Sequence, residues 1–245
     1  MYDALDLSSV LFLDIETVSG EATYQELDPV MAGLWDAKAR SLHRNDPDFA
    51  DADIPAAYVD RAAIYAEFGR IVCISVGFIG VTEDGPVLRV KSFADPEEAV
   101  VLEEFAALLN GRRGFRFLCG HNINEFDVPY IGRRMLVHRM TLPAAIDLRG
   151  KKPWDLKHLI DTMEMWRFAD RKAYTSLKLL AALFGIPSPK DDIDGSQVGR
   201  VFWEDNDLER IAVYCEKDVV ATANVFLALS GREGIGEEAV VFVGR

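Results

Sequence analysis

The chain has 245 residues, of which 49% are hydrophobic and 10% are aromatic, so it can bury a substantial core as one large domain, with or without an insertion. No apolar run approaches the length of a membrane span, and the acidic start lacks the positive region of a secretory signal. We therefore expect a cytoplasmic protein with no membrane contact. The net charge of -13 argues against broad electrostatic adhesion to nucleic acid.

The first predicted element is a buried strand over residues 10–17, whose apolar run ends in two acids. Because alternate side chains of a strand share a face, Asp14 and Glu16 should point the same way, about 7 Å apart. Two facing carboxylates need a cation, and hard divalent ions such as Mg²⁺ or Mn²⁺ prefer oxygen ligands. The pattern alone is also consistent with ordinary surface, since Asp207-Leu208-Glu209 matches it and is typical of an exposed helix face.

An acidic stretch with little strand signal follows over residues 18–69, and we interpret it as an insertion within a single domain of residues 1–245. It contains two helix-like runs, near residues 29–42 and 55–68. Because it leaves the first strand beside Glu16, a lid over the site and a plain packing insert are both consistent with it.

A hairpin is predicted next, with strands over residues 70–81 and 86–93; the second is polar on one face and is therefore expected at the sheet edge. Asp95 is the expected N-cap of a helix that has Pro96 at its first position and Gly111 after its end. Residues 115–119 form a fourth strand, which runs into the polar stretch 120–127.

The remaining elements predict a mixed α/β architecture. They are a helix through about residue 138, weaker strands at 144–148 and 158–163, a helix at 176–185 capped by Thr175 or Ser176, a polar loop at 190–199, and a long terminal helix at about 206–230. This order fits a mixed five-stranded sheet flanked by helices, the ribonuclease-H-like arrangement, better than an all-parallel sheet.

The terminal helix turns another acid toward the protein. At 100° per residue its core-facing stripe comprises Leu208, Ile211, Cys215, Val219, Thr222, Phe226 and Leu229. Asp218 lies at the edge of this stripe, where an ionised carboxylate needs a cation. Tyr214 lies one turn earlier on the same side. The three cysteines are expected to be core thiols, since their spacing predicts neither zinc binding nor disulfides.

Charge is unevenly spread along the chain. Lys and Arg number 7 against 21 Asp and Glu in residues 1–110, 14 against 7 in 111–178, and 6 against 12 in 179–245. The basic middle third could hold the end of a nucleic-acid strand, while the acidic parts of the chain repel duplex DNA. A solvated surface is an equally good interpretation of these basic residues. The basic residues considered for phosphate contacts are Arg112, Arg113, Arg116, Arg133, Arg134, Arg139, Lys151, Lys152, Lys157, Arg167, Arg171 and Lys172.

Three short motifs resemble those of the DEDDy class of 3′-5′ exonucleases. They are Phe12-Leu13-Asp14-Ile15-Glu16-Thr17, Asn122-Ile123-Asn124-Glu125-Phe126-Asp127 and Tyr214-Cys215-Glu216-Lys217-Asp218. They are most similar to the proofreading domain of family B DNA polymerases and its stand-alone bacterial relatives. The motifs occur in the right order at the ends of the expected elements, and the resemblance covers nearly the whole chain. The stretches 66–69 and 188–195 also resemble the stand-alone group.

The resemblance implies a site for two Mg²⁺ or Mn²⁺ ions. Asp14, Glu16 and Asp218 would hold the ion that activates water, and Asp14 would bridge to a second ion reached by Asp127. Tyr214 would position the water, since an ordinary pKa of about 10 makes it a poor general base at neutral pH. The implied contacts to the terminal nucleotides are a hydrogen bond from Asn122, stacking by Phe126 and a sugar contact by Thr17. A core aromatic and a satisfied strand-end threonine are the alternatives for Phe126 and Thr17.

Three other polar residues have weaker assignments. His121 is expected to be structural, because the hard-ion site already has its oxygens. Asp161 could support the site or cap a strand end, and the cap is favoured. Lys190 is consistent with both a phosphate contact and a solvated side chain.

Three functional hypotheses follow. The leading one is a metal-dependent 3′-5′ exonuclease acting on single-stranded DNA, and the second is a 3′-5′ exoribonuclease of the same class. The third is a non-catalytic nucleic-acid-binding module, which the retention of four carboxylates and Tyr214 argues against. The choice between DNA and RNA depends on contacts to the 2′-hydroxyl, and the sequence identifies no protein partner.

Overall fold

A computed structural model describes residues 2, 4–83, 85–111, 113–170, 172, 174–187 and 193–244. The strands in this part of the chain are β1 (Val10–Ser19), β2 (Gly69–Thr82), β3 (Gly85–Ala94), β4 (Phe117–Gly120), β5 (Leu159–Asp161) and β6 (Val240–Phe242). The α-helices are α1 (Pro29–Leu42), α2 (Ile54–Arg61), α3 (Glu98–Leu109), α4 (Asp127–Val137), α5 (Thr162–Arg167), α6 (Leu177–Leu183), α7 (Val198–Trp203) and α8 (Leu208–Leu229). None of the described helices is long and apolar enough to cross a membrane.

The strands form one mixed sheet in the order β5-β4-β1-β2-β3-β6. β1 is antiparallel to β2 and parallel to β4, and β5 extends the parallel side. The predicted α/β architecture is confirmed, but the sheet has six strands rather than five. β6 pairs in parallel with Leu88–Val90 of β3, so the prediction that the second hairpin strand is an edge is wrong. A three-residue strand at the end of the chain carries too little periodicity to be recognised in advance.

Two other local predictions are corrected. Residues 144–148 form a turn rather than a strand, since the N–H groups of Ile146 and Asp147 both donate to the carbonyl of Pro143. Asp95 is not a helix N-cap. Its carboxylate accepts from the N–H of Glu97, two residues on, in a local turn, and α3 begins only at Glu98. The polar loop expected at 190–199 ends in α7, and residues 188–192, with Lys190, lie outside the described residues.

Alternate residues of β1 face two different helical layers. Leu11, Leu13 and Ile15 pack in a core with α3 and α4, whereas Val10 and Phe12 pack against α8. Asp14 and Glu16 continue this second face. α8 runs opposite to β1, because the ring of Phe226 lies 5.7 Å from that of Phe12, whereas Cys215, earlier in α8, reaches Asp14, later in β1. The carboxylates therefore lie beneath the first half of α8.

The segment between β1 and β2 packs around a small core of its own. Its buried members are Trp35, Ala39, Ile54, Ala57, Tyr58 and Ala62. α4 holds this segment through two side chains: the hydroxyl of Tyr130 donates to the carbonyl of Ala63 at 2.8 Å, and Arg134 donates to that of Ala66 at 2.9 Å. The segment is thus attached to the helix that begins with Asp127.

Candidate active site

The middle of β1, which carries the first two acids, lies beside an irregularity of the sheet. Glu16 pairs with Cys73 of β2. Thr17 pairs with Ile71, so Val72 is an extra residue in β2. Such bulges re-aim nearby side chains and are common beside active sites. The side chain of Glu16 is almost entirely buried, with 8% exposure.

Helix α8 contributes a second group of side chains to the same place. The sulfur of Cys215 lies 3.4 Å from the main-chain oxygen of Asp14 and 3.5 Å from its Oδ2. That sulfur and one carboxylate oxygen from each of Asp14 and Glu16 all lie within 4.8 Å of one another. Tyr214 is hydrogen-bonded to Asp218, one turn further along the helix. α8 therefore closes over the two acids of β1.

Asp127 reaches the site from the opposite helical layer. It is the first residue of α4 and is only 3% exposed. β4 pairs with β1 no further than Phe12, and beyond this point the N–H of Ile15 donates to the carboxylate of Asp127. The structure thus brings together the four acids Asp14, Glu16, Asp127 and Asp218.

Burial raises the pKa values of three of these acids, and repulsion by neighbouring carboxylates raises them further. Burial, followed by the charges of Asp218, Asp127 and Glu16, raises the pKa of Asp14 well above its usual range. Burial and then Asp218 do the same for the pKa of Glu16. The pKa of Asp127 is raised to about 7, mainly by burial, even though backbone N–H groups stabilise its charged form. A cation placed among these groups would relieve the repulsion.

The donor set fits a hard divalent cation. Four carboxylates from β1, α4 and α8 supply oxygen atoms, which Mg²⁺ and Mn²⁺ prefer. The one sulfur in the cluster belongs to Cys215, whose pKa is raised by burial. Its thiol is protonated and donates to Asp14, so it is a poor ligand at neutral pH. The residues that could hold a metal are therefore the acids.

Asp161 organises the loop that leads to Asp127. Its carboxylate accepts from the N–H groups of Met163 and Glu164 and so caps α5, as the sequence suggested. It also accepts from the N–H of Asn122 at 3.0 Å and from that of Asn124 at 3.2 Å. One buried carboxylate therefore joins the end of β5 to the loop between β4 and α4.

The three predicted substrate contacts lie along this loop and the end of β1. Asn122 has a φ of 66°, and its buried Oδ1 has no hydrogen-bond partner among the described residues. Phe126 is half-buried, with its ring centroid 5.4 Å from that of Tyr130. The Thr17 hydroxyl donates to the hydroxyl of Tyr130, so its side chain already has a protein partner.

His121 has the structural role expected from the sequence. Its Nε2 donates to the carbonyl of Thr175 at 2.8 Å, and its Nδ1 lies 2.9 Å from Oγ1 of Thr162. Burial lowers the pKa of His121, which favours the neutral ring. The histidine therefore connects the end of β4 to the segment that precedes α6.

One basic residue of the middle third is paired within the protein. Arg134 forms a 2.6 Å ion pair with the buried Glu98, which also contacts His138, so its expected availability for phosphate is wrong. Arg112 and Arg171 lie outside the described residues. A cavity of about 320 Å³ does reach Tyr214 and Asp218, and the described residues that line it are Ser176, Leu177, Lys178, Ala181, Ile193, Asp194, Gln197, Tyr214, Asp218 and Ala221.

Sequence reasoning missed one residue of the site, Cys215. Cys215 was treated only as a core thiol, although its position directly after Tyr214 on the core-facing stripe could have indicated its contact with β1. For Asp161 the sequence is consistent with both a cap and a supporting role, and the structure shows both; its contacts with Asn122 and Asn124 have no local signal because these residues lie nearly forty residues away along the chain.

Comparisons with known proteins bear on the fold and on the family. The chain is similar in fold to a family B DNA polymerase from the hyperthermophilic archaeon Pyrobaculum calidifontis, with a TM-score of 0.52, 17% sequence identity and coverage of 87% of this chain. It spans about a quarter of that polymerase, 24% of its length. No curated protein matches the chain. Residues 64–238 match the model of the predicted 3′-5′ exonucleases related to the exonuclease domain of PolB, so the chain belongs to this family.

Proposed function

We propose that the protein is a DEDDy-type, metal-dependent 3′-5′ exonuclease that removes nucleotides from single-stranded DNA. The observation that carries the proposal is the convergence of four acids, supplied by β1, α4 and α8, with Tyr214 hydrogen-bonded to one of them. The proposed catalytic unit is one domain of residues 1–245, with residues 18–69 as its insertion.

The acids would hold two ions, Mg²⁺ or Mn²⁺. Asp14, Glu16 and Asp218 would bind one of them, and Asp14 and Asp127 the other. When bound, such ions supply activation of water and stabilisation of the leaving oxygen in an in-line displacement. The bulge after Glu16, the N–H of Ile15 and the thiol of Cys215 orient the acid side chains for this task.

Tyr214 would position the attacking water as a hydrogen-bond donor or acceptor. Burial and the neighbouring acids raise its pKa above the usual value of 10, so the phenol keeps its proton at neutral pH and cannot serve as the general base. Its hydrogen bond to Asp218 places the hydroxyl beside the acids rather than in solvent. We therefore assign Tyr214 an orienting role.

The terminal nucleotides would be held by Asn122, Phe126 and Thr17. The unpartnered Oδ1 of Asn122 is a ready acceptor for a donor on the substrate. The half-buried ring of Phe126 retains an exposed part on which a base of any identity could stack. Thr17 has its hydroxyl engaged with Tyr130, so a sugar contact would use its backbone. A single strand is favoured over duplex DNA because duplex DNA carries the phosphates of two strands, and the net charge of -13 on the protein opposes its binding.

The test is cleavage of end-labelled oligonucleotides with Mg²⁺ or Mn²⁺. Linear single-stranded DNA labelled at its 3′ end should release labelled mononucleotides, chelation by EDTA should stop the reaction, and circular single strands should survive. An RNA oligonucleotide of the same sequence, run in parallel, separates the deoxyribonuclease from an exoribonuclease of the same class. Rapid nicking of circles, or release from the 5′ end, would refute the proposed directionality.

A further inference from the structure

Two aromatic side chains are unusually exposed in the segment between α5 and α6. Phe168 is 87% exposed and Tyr174 is 71% exposed. Phe168 and the next residue, Ala169, have φ angles of 47° and 66°, in the left-handed region that bulky residues rarely adopt. Such strain persists where the surrounding structure maintains it, and it is concentrated at functional positions. We name the described residues 168–170, 172 and 174–178 the aromatic ledge.

Both ends of the aromatic ledge are attached to the loop that carries Asn122 and Asp127. At its start, Arg167 lies 3.9 Å from the carboxylate of Glu125. At its far end, the carbonyl of Thr175 accepts from His121 at 2.8 Å. Residues 176–178 of the ledge also line the cavity that reaches Tyr214 and Asp218. The ledge therefore continues the candidate site outward along its rim.

The charge of the ledge suits a nucleic-acid strand. Lys172 and Lys178 are exposed, and the second of them lines the cavity beside Tyr214. They belong to the basic part of a chain whose remaining parts are acidic. Aromatic rings alternating with lysines are the combination that binds single strands without regard to sequence, because bases stack on the rings and phosphates approach the ammonium groups.

We infer that the aromatic ledge binds the nucleotides that precede the 3′-terminal ones in single-stranded DNA. Phe168 and Tyr174 stack on bases there, and Lys172 and Lys178 contact the intervening phosphates. This inference rests on the proposed function, since it extends the same site toward the 5′ side of the substrate.

The test compares substrates of two lengths. Phe168→Ala and Tyr174→Ala are measured with a 12-nucleotide DNA strand and with a dinucleotide, which is too short to reach from the catalytic acids to the ledge. Each variant should raise KM for the 12-mer about 5- to 100-fold, leave kcat unchanged, and leave dinucleotide cleavage unchanged. The matched control is Trp154→Ala: this tryptophan is 68% exposed and lies among lysines, but it precedes β5 and so is at the opposite end of the sheet from the acids. Its KM should not change.

Several results would overturn the inference. Unchanged KM for the 12-mer in both variants would remove the ledge from the binding site, and equal losses on both substrates would indicate distortion of the catalytic cluster instead. An equal loss in Trp154→Ala would mean nonspecific adhesion. If the wild type cleaves neither substrate, the proposed function fails, and binding of the labelled 12-mer to the ledge is then measured by fluorescence anisotropy. Weaker binding by Phe168→Ala but not by Trp154→Ala would support the inference. Equal binding by the wild type and Phe168→Ala would refute the inference.

Discussion

Replacing Asp14 by Asn should destroy activity while stabilising the metal-free protein. The substitution keeps the size of the side chain and an acceptor for the Cys215 thiol, but it removes the charge that would bridge both ions. Asp14 and Glu16 have carboxylate oxygens within 4.8 Å of each other. At a pH high enough to ionise both acids, whose pKa values are raised, two charges at that separation repel by about 1 kcal/mol in water and by about 3 kcal/mol at an effective dielectric constant of roughly 20. For a chain of this length, each kcal/mol corresponds to about 2–4 °C in Tm, so the gain should be roughly 2–12 °C.

The assay is thermal unfolding with EDTA and again with saturating Mg²⁺ or Mn²⁺. At a hundredfold excess of the ion over its Kd, binding should stabilise the wild type by about 3 kcal/mol and so raise its Tm. The Tm of Asp14→Asn should rise little on adding the ion. The order of the two melting temperatures should therefore reverse between the two conditions. Asp60→Asn makes the same chemical change at an exposed position of α2 and should shift Tm in neither condition.

Single-turnover degradation of 3′-labelled single-stranded DNA measures the catalytic part of the prediction. We expect a loss of about a thousandfold or more for Asp14→Asn, because the variant weakens the binding of both ions. Circular dichroism must show an intact fold. A folded Asp14→Asn protein that cleaves at the wild-type rate would refute the two-metal assignment, and a metal-free variant no more stable than the wild type would refute the repulsion among the acids.

Three further predictions concern other groups of the site. Tyr214→Phe deletes one hydroxyl and leaves the acids in place, so single-turnover cleavage should fall about 10- to 1,000-fold with no change in the ion concentration required. The pKa of Asp127 is about 7 in the folded protein against an ordinary 3.8, so between these values the folded state holds a proton that the unfolded state has lost. Asp127 should consequently contribute a fall of about 4 kcal/mol in the free energy of unfolding of the metal-free protein as pH rises from 4 to 8, in addition to the falls from Asp14 and Glu16, whose pKa values are also raised, and urea titrations should find a shallower decline in Asp127→Asn. Asp161→Asn keeps one acceptor oxygen but replaces the one that accepts from the N–H of Asn124. It should therefore lower the free energy of unfolding by about 1–3 kcal/mol and raise the ion concentration needed for half-maximal activity. An unchanged ion requirement would show that the loop does not depend on this carboxylate.

The sequence by itself was sufficient for the parts of the site that local periodicity controls. The two-residue repeat of a strand places Asp14 and Glu16 on one face, and the 3.6-residue repeat of a helix places Tyr214 and Asp218 on one side of α8. The mixed sheet could be predicted because strong apolar runs mark β1, β2 and β4. The resemblance of three motifs to exonucleases indicated the family without any coordinates.

Only the tertiary structure decided how these pieces meet. That Asp127 crosses from the α4 layer to the N–H of Ile15, and that Asp161 holds the loop before it, depends on contacts between residues far apart in sequence. The same is true of β6, whose three residues form a strand only because β3 offers an open edge. Arg134 was expected on the surface but is paired with Glu98, because α3 and α4 pack side by side. Local sequence patterns indicate which face of a helix or strand is apolar. The element that packs against that face depends on the packing of the whole chain, and no single segment encodes it.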